Sequence, residues 1–77
     1  MKKGVSARIP LTRKVLREIE RELGVYLDNG PLRANRELNQ QFAVYDEDER
    51  FVTDIVSETL YFTQEELISK IQSAFYP

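Results

Sequence analysis

Phe42-Ala43-Val44-Tyr45-Asp46-Glu47-Asp48-Glu49-Arg50-Phe51-Val52-Thr53-Asp54-Ile55-Val56 is the stretch that decides the fold. Two runs rich in aromatic and β-branched residues, Phe42 to Tyr45 and Phe51 to Val56, flank four consecutive acids. Such side chains pack well on a pleated surface, and a connection of about four polar residues is usual for a hairpin. The stretch reads as a β-hairpin with an acidic tip. Its second strand has the composition to continue, with a bend near Ser57, towards Phe62.

Immediately beyond, Thr63-Gln64-Glu65-Glu66 has the pattern of a capping box. The Thr63 hydroxyl can accept from the Glu66 backbone N–H, and the Glu66 carboxylate can reach back to the Thr63 N–H. Phe62 and Leu67 have the spacing of a hydrophobic staple. Leu67, Ile68, Ile71, Ala74 and Phe75 form an apolar stripe, so a helix is predicted over 63–75.

Towards the N-terminus, Val15, Leu16, Ile19 and Leu23 share one helical face, with Thr12 as N-cap and Gly24 as a left-handed C-cap. A helix is predicted over 12–23. Before it, Val5, Ala7 and Ile9 alternate with Ser6 and Arg8, which predicts a short strand ended by Pro10. After it, Val25 to Leu27 is apolar and Asp28-Asn29-Gly30-Pro31 signals a turn. Residues 31–41 permit either a short helix near Pro31 or a loop rich in Asn and Gln.

The resulting fold class is α+β, a single domain over 1–77 with residues 1–3 as a frayed basic tail. Its order is β-α-(short helix or loop)-β-β-α, with two helices packed on one face of a three-stranded sheet. A right-handed first connection would place strand 1 parallel to the third strand. This order resembles a ferredoxin-like unit lacking its final strand, an analogy of architecture that carries no function.

A chain of 77 residues buries roughly 60–65% of its unfolded surface, enough for one small core. With no Cys, that core has no disulfide to support it, and stability rests on packing or self-association. The opening residues lack the apolar stretch of a secretory signal, and no run is long enough to span a bilayer. A cytoplasmic setting is the expectation.

Charge is segregated along the chain. Residues 1–36 hold nine of the eleven Lys and Arg against four acids, whereas residues 37–77 hold nine acids against Arg50 and Lys70. The near-neutral total of −2 thus covers two oppositely charged halves, and such a molecule presents a dipole to its partners.

The usual general base and the most reactive nucleophile are both missing, since there is no His and no Cys. A carboxylate pair of the glycosidase kind would need a concave pocket that so few elements seldom build. Gly4, Gly24 and Gly30 match no nucleotide-cradling motif. No catalytic residue, cofactor or metal is expected. The Asp46 to Glu49 run lacks the glycine and the alternate ligand spacing of a calcium loop. It reads as a solvated tip that discourages edge pairing, with an acidic docking knob formed by Asp46 and Asp48 as the alternative.

On the first helix, Arg13, Arg17 and Arg21 recur every fourth residue, a spacing that weakens an isolated helix slightly. Glu18 and Glu20 partly offset them. The stripe is either a solvated face or a surface for an acidic partner. Val5-Ser6-Ala7-Arg8-Ile9-Pro10 followed by this Arg-rich helix resembles the start of ribbon-helix-helix DNA-binding proteins. That resemblance covers about twenty residues. It implies a dimeric regulator in which Ser6 and Arg8 face the bases and residues 31–43 form a second helix. The long Val25 to Gly30 connection and the added hairpin and helix depart from the pattern. The acidic pI and the separation of aromatic from basic residues argue against nucleic acid.

The remaining clue is surplus apolar surface. Hydrophobes occupy both alternating faces of the hairpin, yet one layer of two helices covers only one. Either residues 31–40 fold over the remaining face, or that face is left to meet another protein or a second copy in a homodimer. Strict alternation groups Tyr45, Val52 and Val56 on one side and Phe42, Phe51 and Ile55 on the other. The expected function is a non-catalytic protein-interaction module, whether adaptor, inhibitor or regulatory subunit.

Overall fold

A computed structural model describes residues 9–29 and 39–76. The elements are α1 (Arg13–Leu23), β1 (Tyr26–Asn29), β2 (Gln41–Tyr45), β3 (Phe51–Val56) and α2 (Gln64–Phe75). The fold is α+β, with a three-stranded antiparallel sheet in the order β1-β2-β3 and two helices.

Both helices start as their sequences require. Thr12 accepts from the Val15 N–H, and Thr63 accepts from the Glu66 N–H at 3.1 Å. Gly24 closes α1 at φ 68°, a left-handed conformation that glycine adopts without a Cβ penalty. The reciprocal half of the capping box is replaced by a longer-range contact. The Glu66 carboxylate accepts instead from the Ser57 hydroxyl at 2.8 Å and from the Glu58 N–H. It thereby ties the start of α2 to the bend that follows β3 and satisfies Ser57, a polar residue buried to 3% exposure.

The hairpin is present. Asp46 organises its tip, accepting through Oδ1 from the Asp48 and Arg50 N–H groups at 2.9 and 3.0 Å. Its carbonyl accepts from Glu49 at 2.9 Å, and Glu49 takes φ 64°. This is a turn followed by a left-handed residue, a common way to join two strands. Beyond Val56 the chain stays close to the start of β2, because Gln40 donates its N–H to Leu60 and accepts the Phe62 N–H through its side chain.

Among the described residues the strand that joins the hairpin is β1, Tyr26–Asn29. Residues 1–8 and 30–38 lie outside the described residues, and with them most of the predicted strand over Val5–Ile9 and most of the 31–41 segment. Ile9 itself is exposed, in a bend. Asp28 and Asn29, read as the start of a turn, thus belong to a strand paired with Ala43 and Phe42. The second helix that the ribbon-helix-helix resemblance implied over 31–43 is overturned at its C-terminal end, where residues 41–43 belong to β2.

The core lies between the sheet and the two helices. Ile19 of α1 and Leu67 and Ile71 of α2 meet Phe42 and Val44 of β2, Ile55 of β3, Val25 and Phe62. Phe42 and Phe62 stack with ring centroids 5.7 Å apart. Both helices thus cover the same face of the sheet, and the opposite face is left to other residues.

Candidate functional site

Antiparallel partners project from the same face, so the register identifies the side that, among the described residues, no helix covers. Tyr26 pairs with Tyr45 and Tyr45 with Phe51; Asp28 pairs with Ala43 and Ala43 with Asp54; Gln41 pairs with Val56. An aromatic row therefore crosses all three strands, next to a row in which two carboxylates flank one alanine. Tyr26 is 50% exposed, Phe51 57% and Val56 42%. Tyr45 and Phe51 meet edge to face with centroids 5.8 Å apart, an arrangement favoured by ring quadrupoles.

Strict alternation had grouped Val52 with Tyr45 and Val56, and Phe51 with the inward set. The register instead shifts between Val44 and Tyr45: Val44 faces Thr53 while Tyr45 faces Phe51, which leaves Val52 as the extra residue of a β-bulge. Phe51 then turns out to the open face, and Val52 packs against the core. Tyr45 and Val56 lie on the open face, joined by Phe51, Tyr26, Asp28 and Asp54. Nothing in the spacing of β3 announces the bulge. The apolar Val25–Leu27 run was the available signal for Tyr26.

The charged candidates do not form one site. Arg13, Arg17 and Arg21 are exposed along α1, where Arg17 and Arg21 border a depression shared with Tyr26 and Glu47 at the β1 side of the sheet. Asp46 is engaged in building the hairpin tip, and Asp48 is exposed. Among the described residues, no group of three or more acids is placed to hold a metal ion. Glu22, Asp46, Glu47 and Asp48 line a depression of about 470 Å³ with Phe75 and Tyr76, where the C-terminal ends of both helices meet the hairpin tip.

The two sheet edges differ. Ser57 donates to the Gln40 carbonyl within the pair that continues the β2–β3 register. Hydrogen-bonded and non-bonded pairs alternate in an antiparallel ladder, so Ile55 and Thr53 also bond to β2. Asp54 and Val56 then direct their N–H and C=O groups outwards. On β1 the corresponding outward N–H is that of Leu27, and Glu20 of α1 accepts it at 2.8 Å. Helix α1 thus occupies this one position of the β1 edge. Along β3, a groove of about 550 Å³ separates Thr53–Glu58 from Lys70, Ser73 and Ala74 of α2. One end is spanned by the Lys70–Glu58 ion pair at 2.8 Å, whose hydrogen bond and charge hold the Glu58 carboxyl below its ordinary pKa of 4.5.

No known protein family, curated protein or solved structure matches this chain. Among the described residues, no helix is long and apolar enough to cross a membrane.

Proposed function

We infer that this protein is a non-catalytic protein-binding module that works in the cytoplasm and receives its partner on the uncovered face of the sheet. The observation that carries the reading is the row of exposed Tyr26, half-buried Tyr45 and exposed Phe51, with Val56, on the side opposite both helices. Aromatic side chains offer large contact area at low entropic cost and are enriched where proteins meet. The absence of His and Cys from the sequence removes the commonest catalytic groups and supports the same reading.

Size bears on the kind of contact. Three strands about 4.8 Å apart, each some five residues long, present a projected face of roughly 250 Å². A standard stable interface takes about 800 Å² from each partner. The face alone therefore suits a short segment or a transient contact better than a tight homodimer. Sedimentation across micromolar to millimolar concentration tests the homodimer.

The direct test places a photo-crosslinking residue at Phe51 or, as a control, at Lys14 on α1. Partner adducts formed from Phe51 and abolished by Tyr45→Lys support the reading. Adducts formed equally well from Lys14, or unaffected by Tyr45→Lys, count against it. The rival reading, a dimeric DNA-binding regulator, has the exposed Arg13, Arg17 and Arg21 stripe in its favour. It predicts duplex binding that weakens steeply with salt and is lost on charge reversal of that stripe.

A further inference from the structure

We propose that the partner enters as an extended segment that adds a fourth strand to the outer edge of β3, with a basic side chain beside Asp54 and apolar side chains directed into the groove along α2. The proposal rests on the protein-binding reading above and specifies which edge is used and what chemistry fits it.

The backbone selects the edge. Asp54 and Val56 aim donors and acceptors away from β2, and a neighbouring strand is the natural complement of such a row. The β1 edge is less receptive, since Glu20 already accepts the outward N–H of Leu27. Space favours β3 as well. Its neighbour α2 shows it only Lys70, Ser73 and Ala74, and the small side chains of Ser73 and Ala74 leave the groove of about 550 Å³ open beside the strand.

Side-chain chemistry follows from the pleat. A residue directly opposite Asp54 would share its face, with Cβ atoms about 5 Å apart, close enough for Lys or Arg to reach the carboxylate. Among the described residues no ion pair reaches Asp54, and Lys70, which lines the same groove, is paired with Glu58. Residues opposite Thr53 and Ile55 would point to the helix side, where the groove accepts modest aliphatic groups. The segment that fits alternates basic and apolar side chains. Its basic positions would lie beside the Phe51, Asp54 and Val56 column, and Arg17 and Arg21 are on the far, β1, side of the sheet.

The test uses the full chain and a display library of random peptides of about ten residues. An enriched peptide is synthesised and titrated while backbone amides are followed by NMR. The expected result is an alternating basic and apolar consensus. Binding should shift the Asp54 and Val56 amides and protect them from exchange. Methylating the peptide nitrogens that face β3 should weaken it about tenfold or more. Val56→Pro removes an outward N–H without touching the β2–β3 ladder and should give a similar loss. Ser73→Arg, on the exposed surface of α2, fills the groove and checks the result independently of the strand. Peptides that shift Tyr26 and Tyr45 while leaving the β3 amides unmoved would overturn strand addition and leave the open-face reading standing. Enrichment of acidic peptides, or no enrichment, would also overturn the proposal. So would Asp54 and Val56 amides already protected in the free chain, whether by its own residues or by a second copy.

Discussion

The Glu20 carboxylate on α1 accepts a 2.8 Å hydrogen bond from the backbone N–H of Leu27 on β1. Seven residues separate them, and Gly24 between them reverses the chain. A helix side chain thus occupies the hydrogen-bonding position that a further strand would use. A bond to a charged acceptor is typically worth about 1.5–3 kcal/mol. Glu20→Ala should lower stability by about that amount in urea denaturation and speed exchange of the Leu27 amide. Glu20→Gln keeps an acceptor oxygen and should lose about half as much.

The bulge in β3 makes opposite predictions for adjacent residues. Val52 packs inward, so Val52→Asp places a carboxylate against the core and should cost at least about 2 kcal/mol. Phe51 projects outward and loses chiefly its edge-to-face contact with Tyr45, so Phe51→Asp should cost about 1 kcal/mol. Denaturation of the two variants side by side decides it. An equal or inverted order would return Phe51 to the core side.

Glu49 occupies a left-handed conformation at φ 64°. For an L-residue this costs about 1–2 kcal/mol, whereas glycine's extra freedom in the unfolded chain costs about 0.5–1 kcal/mol. The first term is larger. Glu49→Gly should therefore raise stability by about 0.5–1 kcal/mol, read as a higher thermal midpoint, and Glu49→Val should lower it.

Glu66 holds Ser57 and Glu58, while Thr63 caps only its own helix. Thr63→Ala should cost about 1 kcal/mol, the usual loss of an N-cap. Glu66→Ala removes two bonds and leaves the buried Ser57 hydroxyl without that acceptor, so it should cost about 2–3 kcal/mol. Mutating Ser57 and Glu66 together should cost less than the sum of the single losses, as a double-mutant cycle would show.

The Glu58 carboxyl is held below its ordinary value of 4.5, first by the hydrogen bond from Lys70 and then by its charge. A depressed carboxyl pKa stabilises the folded state above the unfolded value, and that contribution disappears as pH falls through the folded value. The stability difference between the native chain and Glu58→Gln should be flat above about pH 5.5 and shrink below the ordinary value. Salt should diminish it, because the pair is exposed.

Local signals in the chain were strong where short-range chemistry governs. Thr12, Gly24, Thr63 and the two apolar stripes place both helices, and the aromatic and β-branched runs around Asp46–Glu49 place the hairpin. Longer-range choices were not legible. Glu66 had two possible acceptors' roles, and only the fold brings Ser57 and Glu58 within its reach. Tyr26–Asn29 looked like the approach to a turn because four residues carry little pattern, and its pairing with β2 supplies what propensity does not. The open face was foreseeable from surplus hydrophobes. Its membership was not, since a one-residue bulge exchanges Phe51 and Val52 without altering composition.

That extra residue also divides β3 into two phases. From Thr53 to Val56 the even-numbered positions look outward, whereas at the hairpin end it is the odd-numbered Phe51. A substitution scan along the strand would show its tolerance pattern skip a beat at Val52. Deleting Val52 would bring the strand into unbroken alternation and draw Phe51 one position closer to Thr53. The register would keep Phe51 opposite Tyr45 on the open face and Val44 opposite Thr53, so the turn that Asp46 builds would stay in place and the core would lose only what the Val52 side chain contributes.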